Sequence, residues 1–213
     1  MTSPIGRFHV LTDFTFQQRF SHAKLAALAI EGGADVIQFR QKLGAIQDIL
    51  SNAHAVAKVC HDAEIPLVIN DRIDIALAVG ASGVHLGQTD MPLLDARSIL
   101  GPDAIIGITA PSIPQARKAL ECGADYIGFG PVFPTQSKAN STPIKGLEGV
   151  LEMANNVDIP IIGIAGITAL RAPDILRAGA HGVAVMTAIS LADDPVVASR
   201  EFREAIDAVA ARR

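Results

Sequence analysis

Three short stretches of the chain gather side chains suited to anionic ligands. The first is Gln38-Phe39-Arg40-Gln41-Lys42. Alternate residues of an extended chain share a face, so Gln38, Arg40 and Lys42 are expected to point together while Phe39 packs outward under a helix. An amide and two cations suit a ligand with a hydrogen-bonding ring and an anionic tail. A solvated strand end is the plainer alternative. The second and third stretches are Asn70-Asp71-Arg72 and Gly87-Gln88-Thr89-Asp90. Taken singly, Asp71 and Asp90 each read as the cap of a following helix. Taken together, two carboxylates on neighbouring strand ends can share one hard cation, and Mg2+ favours one or two carboxylates with water and phosphate oxygens.

Three later stretches extend the set. Gly130-Pro131-Val132-Phe133-Pro134-Thr135-Gln136-Ser137-Lys138 opens the longest loop, 131–145. Its two hydroxyls and lysine read as an anion clamp, and its length as a lid. Ile164-Ala165-Gly166-Ile167-Thr168 and Val185-Met186-Thr187-Ala188 offer a glycine where backbone can approach an anion and a threonine hydroxyl beside it. A tight strand-to-helix turn also explains Gly166, and both readings can hold. The six histidines do not cluster in sequence, and His85 reads as a packed histidine in or near the core. There is no H-E-x-x-H, no nucleophile elbow and no spacing suited to structural zinc. Gly128-x-Gly130 lacks the third glycine of a nucleotide loop.

These residues need a scaffold that brings strand ends together. Short β-branched runs at 8–13, 35–40, 66–70, 83–86, 105–109, 126–130, 160–165 and 182–186 read as strands, and helical spacing fills the gaps between them. A weak repeat supports the division. Gly33-Ala34-Asp35, Gly80-Ala81-Ser82, Gly123-Ala124-Asp125 and Gly179-Ala180-His181 each close a helix and lead into every second strand, glycine suiting the left-handed helix end. Ser21, Ser112, Thr168 and Asp194 are expected helix caps. Eight strands alternating with helices fit a single α/β domain over 1–213, a closed (β/α)8 TIM barrel, better than an open sheet. Its active site would lie at the C-terminal ends of the strands, where all six stretches fall.

Composition bounds the remainder. The 213 residues are 49% hydrophobic and 19% charged, enough for a full core. The formal charge of -4 and the lack of a Lys/Arg-rich run argue against nucleic acid or a membrane surface as a partner. Small phosphorylated ligands need only a local cluster of cations. Residues 1–13 lack a cationic start before a long apolar run, so no signal peptide is expected, and the localisation suggested is cytoplasmic. Cys60 and Cys122 form no C-x-x-C and read as free thiols on helices. A homo-oligomer stays open.

The stretches beginning at Gln38, at Val68-Ile69-Asn70-Asp71-Arg72-Ile73-Asp74-Ile75-Ala76, at Gly83-Val84-His85-Leu86-Gly87-Gln88-Thr89-Asp90 and at Gly128-Phe129-Gly130 resemble, in this order, the thiamine-phosphate synthase family. The resemblance spans nearly the whole chain. It implies a transferase that joins a pyrimidine diphosphate to a thiazole phosphate with Mg2+. Gln38, Arg40, Lys42 and Asn70 would hold the pyrimidine partner, with Phe39 and Gln41 counted in the same binding stretch. Thr109 and Lys138 would also face it. Asp71 and Asp90 would bind the metal. Thr135, Ser137, Gly166, Met186 and Thr187 would line the thiazole site, with Gln136 counted among the substrate-binding residues. Arg40, Lys42 and Lys138 would carry the catalytic charge. Thr109, Ser137 and Thr187 each depart from the usual family residue but keep its hydroxyl. Ala165 stands where glycine is usual and adds a methyl near the phosphate loop.

Three other readings compete. A thiazole tautomerase of the same superfamily would lack one or both aspartates and carry a histidine after the fifth strand, where this chain has Thr109-Ala110-Pro111-Ser112. A sugar-phosphate isomerase would need an acid and a base poised across the mouth. A non-catalytic phosphate-ligand-binding barrel would use the same residues as the enzyme.

Overall fold

A computed structural model of the chain describes residues 5–135 and 143–211. Eight strands form a closed parallel barrel in sequence order, β8 pairing back onto β1. They are β1 (Phe8–Thr12), β2 (Val36–Phe39), β3 (Leu67–Asn70), β4 (Gly83–Leu86), β5 (Ile105–Thr109), β6 (Tyr126–Phe129), β7 (Ile161–Ile164) and β8 (Gly182–Val185). Seven helices join consecutive strands: α1 (His22–Glu31), α2 (Ile46–Asp62), α3 (Ile73–Val79), α4 (Leu93–Leu100), α5 (Ile113–Glu121), α6 (Gly146–Asn156) and α7 (Ala172–Arg177). The short α8 (Thr187–Ser190) and the long α9 (Pro195–Ala210) follow β8. Each expected strand is present, and several end one residue sooner than the apolar pattern suggests. Arg40 and Asp13, for example, lie just past their strands.

The Gly-Ala-X repeat has a common geometry. Gly33, Gly80, Gly123 and Gly179 all have positive φ. In each repeat the alanine N–H returns to a carbonyl five residues back: Ala34 to Ala29, Ala81 to Ala76, Ala124 to Ala119 and Ala180 to Ile175. The third residue then donates into the preceding strand, as Asp35 does to Phe8 and Ser82 to Leu67. Helix end and strand start are thereby fused into one rigid corner.

Caps agree with expectation in two places and differ in four. Ser21 accepts from the Lys24 amide, and Asp194 from those of Val196 and Val197. Ser112 occupies the cap position of α5 but donates its hydroxyl to Gln115 Oε1 instead. Thr168 lies a turn before α7, whose cap position is Arg171. Neither Asp71 nor Asp90 is a helix cap; those positions belong to Arg72 and Pro92, so capping does not account for either carboxylate.

The main core fills the layer between sheet and helices, with Phe8 and Phe202 stacked at 5.3 Å where α9 crosses β1. Phe39 belongs to this layer. It is buried, with its ring 4.6 Å from that of His22, and so stands outside the ligand-binding stretch to which it was assigned. A second, smaller cluster of Ile5, Leu11, Tyr126, Ile162 and Ala184 plugs the barrel interior. Among the described residues, no helix is long and apolar enough to cross a membrane. Cys60 is buried on α2, where burial pushes its thiol up to about 12.

Candidate active site

A cavity of about 480 Å³ opens above the interior plug at the C-terminal ends of the strands. Its wall takes one inward-facing residue from each strand in turn: Leu11, Gln38, Asn70, His85, Thr109, Gly128, Ile164 and Ala184. The register explains this ring, since Leu11 lies beside Gln38, Asn70 beside His85, Thr109 beside Gly128 and Ile164 beside Ala184. Period-two alternation from each strand end then sends the next residue outward and the one after it back to the mouth. Arg40, Lys42, Asp71, Asp90, Thr135, Gly166, Met186 and Thr187 line the same cavity. Gln41 does not. Its amide donates to the Leu43 carbonyl and accepts from Asn52 on α2. Gln136, Ser137 and Lys138 lie outside the described residues.

The mouth is divided. On the β2–β4 side its groups are charged. Arg40 is ion-paired with Asp13, a residue buried at the end of β1 whose other oxygen accepts from the Thr15 amide at 2.6 Å. Lys42 Nζ lies 2.7 Å from Asp71 Oδ2. Asp71 sits at the centre of a tight turn, with φ at +64° and the Arg72 amide donating to the Asn70 carbonyl at 2.8 Å. That uncommon backbone aims the carboxylate at the mouth rather than at α3. Asp90 folds back over its own turn, where Oδ2 accepts from the Gly87 amide at 2.6 Å. A side chain at residue 87 would crowd that oxygen, for a Cβ there falls 2.9 Å from it. Burial and then the adjoining Asp71 carboxylate push Asp90 above the ordinary carboxylate range, against the pull of the Gly87 amide and Lys42.

This carboxylate pair passes a simple test for a divalent cation. Asp71 raises the neighbouring Asp90 carboxyl even with Lys42 beside the pair, so further positive charge would be favoured there. Their donor set is all oxygen, which suits Mg2+ better than a softer metal.

On the β6–β8 side the wall is apolar, with Ile162, Ile164, Ala184 and Met186, and its polar contributions come from Thr135, Thr187 and backbone at Gly166. Ala165 and Gly166 are both left-handed, at φ +81° and +64°. A Cβ on Gly166 would fall 2.4 Å from the Pro134 carbonyl oxygen and 2.8 Å from Phe133 Cβ. The glycine is therefore required by the close passage of the loop after β6, besides any ligand. That loop is fastened at its base. The Val132 and Phe133 amides donate to Ile164 and Ala165, and the Lys145 and Gly146 amides return to Pro131 and Val132.

Sequence reasoning missed Asp13 and the cavity floor. His85 Nδ1 meets the Tyr126 hydroxyl at 3.0 Å, and His85 Nε2 meets Thr109 Oγ1 at 2.9 Å. His85 is thus a hydrogen-bonded wall residue rather than core filling. The same strand-end rule applied to β1 would have flagged Asp13. Tyr126, the only tyrosine of the chain, also carried a signal: it stands on β6 one strand from Gly107.

The model of the thiamine monophosphate synthase family matches residues 9–189, which takes in every one of these mouth residues. The chain belongs to this family. It is 58% identical to the thiamine-phosphate synthase of Salinibacter ruber over 205 residues, covering 96% of this chain and 90% of the relative. It is 43% identical to that of Methanocella arvoryzae, covering 93% of each. Among solved structures, thiamine phosphate pyrophosphorylase from Pyrococcus furiosus superposes with a TM-score of 0.87 at 33% identity, covering 95% of this chain and 96% of that one. The thiamine-phosphate synthases are transferases. The tautomerase alternative is not favoured, since the relatives are synthases and both mouth aspartates are present.

Proposed function

We propose that the barrel condenses 4-amino-2-methyl-5-(diphosphooxymethyl)pyrimidine with 4-methyl-5-(2-phosphooxyethyl)thiazole, giving thiamine phosphate and diphosphate. The observation that carries this reading is the divided mouth. One half offers cations and carboxylates for a diphosphate, and the other offers an apolar wall with hydroxyls for a ring bearing a single phosphate.

The pyrimidine partner lies on the β2–β5 side. Gln38 and Asn70 hydrogen-bond its ring, and Arg40 and Lys42 take its diphosphate. Asp71 and Asp90 would hold Mg2+, which when bound supplies positive charge against the diphosphate. The thiazole partner lies against Ile164 and Met186, its phosphate reaching Gly166, Thr135 and Thr187. The bond between the pyrimidine methylene carbon and the diphosphate oxygen breaks, and the electron pair leaves with diphosphate. The thiazole nitrogen then closes on the resulting carbocation. Arg40 and Lys42 lower the barrier by meeting charge as it grows on the leaving group. The apolar wall keeps water away from the cation. Juxtaposing the two rings converts a bimolecular encounter into a unimolecular step. Lys138, which the family resemblance implies faces the same diphosphate, would add a third cation.

Incubation with both phosphorylated substrates and Mg2+ tests the reading. Thiamine phosphate and diphosphate are expected in equal amounts. Release of diphosphate without thiamine phosphate would overturn it.

A further inference from the structure

The cavity floor carries a line of polar groups that the charged mouth does not use. Tyr126 stands in the barrel interior, 1% exposed, with the rings of His9 and His85 each 5.5 Å away. Its hydroxyl meets His85 Nδ1, and His85 Nε2 meets Thr109 Oγ1. Thr109 is also held through its backbone, the carbonyl accepting from Gln88 Nε2 at 2.6 Å. Two strands give up side chains to make room for the line. A Cβ on Gly107 would fall 2.1 Å from Tyr126 Cζ, and one on Gly128 would fall 2.8 Å from His85 Cε1. Cavity and line are built together.

The chemistry of the line gives it a direction. Burial pushes the Tyr126 phenol up, so it keeps its proton. A buried phenol needs an acceptor, and among the described residues His85 Nδ1 is the one within its reach. A neutral imidazole has one N–H and one lone pair. With Nδ1 accepting, the N–H is on Nε2 and donates to Thr109 Oγ1. The threonine oxygen is then an acceptor toward His85, and its own O–H turns to the cavity that Thr109 lines. Thr109 stands in the same ring of wall residues as Gln38 and Asn70, below Arg40 and Lys42 along the strands.

We infer that Tyr126 and His85 are positioning residues that hold the Thr109 hydroxyl as a hydrogen-bond donor toward a ring acceptor of the pyrimidine substrate. The identity of that substrate rests on the proposed function; the direction of the line does not.

Two measurements test it. Long-range 1H–15N correlation spectra of histidine-labelled free protein, at about pH 8 where an ordinary imidazole is neutral, report the tautomer. His85 is expected as the Nε2–H form, with Tyr126→Phe shifting part of the population to Nδ1–H. A parent His85 in the Nδ1–H form would overturn the inference. The second measurement is kinetic. Thr109→Val is expected to raise KM for the pyrimidine diphosphate up to about tenfold, the worth of one hydrogen bond. The inhibition constant of inorganic diphosphate should not move, and Thr109→Ser, which keeps the hydroxyl, should restore most of the affinity that Thr109→Val loses. An unchanged KM, or an equal rise in the diphosphate constant, would overturn the ring assignment. Should the parent form no thiamine phosphate, the proposed function fails while the tautomer result still decides the direction of the line.

Discussion

Single residues set the charge of this mouth, and the least visible of them is Asp13. Arg40 is long and flexible, and a free guanidinium would lose rotamer entropy on meeting a diphosphate. Asp13 is buried and fixed by the Thr15 amide, so it holds Arg40 in place beforehand. Asp13→Asn is expected to cost on the order of 3 kcal/mol in urea unfolding, because breaking a buried pair leaves a charge uncompensated. It should also raise KM for the pyrimidine diphosphate while leaving that for the thiazole phosphate near the parental value. Lower stability with both constants unchanged would confine Asp13 to the fold. At this scale the sequence was legible where chemistry follows residue type. Arg40, Lys42, Asp71 and Asp90 were found as charged groups at strand ends, and the structure brings them to one cavity. Asp13 follows β1 with no charged residue beside it in sequence, so the strand-end rule marks its position but not its burial or its pairing with Arg40. Phe39 and Gln41 were over-included, because a contiguous motif does not say which of its members face inward.

Between residue and fold stand the loops that follow β6 and β7. They touch at Gly166, where the backbone of Phe133 and Pro134 passes too close for any side chain. Gly166→Val is therefore expected to destabilise the protein by more than about 2 kcal/mol, through a clash and a positive φ together. It is a poor probe of phosphate binding alone. Its neighbour gives a gentler test. Ala165 holds φ at +81°, a backbone that costs an L residue about 1–2 kcal/mol. Part of that cost is offset by the lower entropy of alanine in the unfolded chain. Ala165→Gly should raise the urea midpoint slightly, by about 1 kcal/mol or less in stability. A loss of stability would show that the alanine methyl packs usefully. Elements themselves were legible from apolar runs and the Gly-Ala-X corners, since a left-handed helix end has few residues to choose from. Caps were less so. Serine at 112 and threonine at 168 have the right type, but Ser112 found a better partner in Gln115 and the helix after Thr168 starts late.

For the molecule as a whole, two buried imidazoles, His9 inside the barrel and His22 on α1 against Phe39, make stability depend on pH. His9 and His22 are buried, and burial lowers each to about 4. His9 Nε2 faces the Gly6 carbonyl, and its Nδ1 has no hydrogen-bond partner among the described residues, so a second ring proton would be buried unpaired. Both folded values lie below the unfolded value of 6.5. The unfolded chain therefore binds more protons between the two values. Stability from the neutral rings is fully present above pH 6.5 and is lost as pH falls toward about 4, below which the loss is complete. Each ring should account for on the order of 3 kcal/mol over that window. Urea unfolding at several pH values is expected to show the decline, and flat stability between pH 7 and pH 5 would contradict it. The closed barrel was legible from eight alternating runs. Its floor was not, because His9, His85, Thr109 and Tyr126 lie on four strands, and only closure brings them together.

The β2–β4 half of the mouth is proposed to hold a diphosphate through a cation shared by Asp71 and Asp90. The most direct test is calorimetric binding of the pyrimidine diphosphate to metal-stripped protein, with and without added Mg2+, for the parent and for Asp90→Asn. In the parent, Mg2+ is expected to tighten binding at least about tenfold, a modest share of what a divalent ion gives a buried diphosphate. Most of that gain should vanish in Asp90→Asn. Equal affinity with and without Mg2+ in the parent would rule out the shared cation.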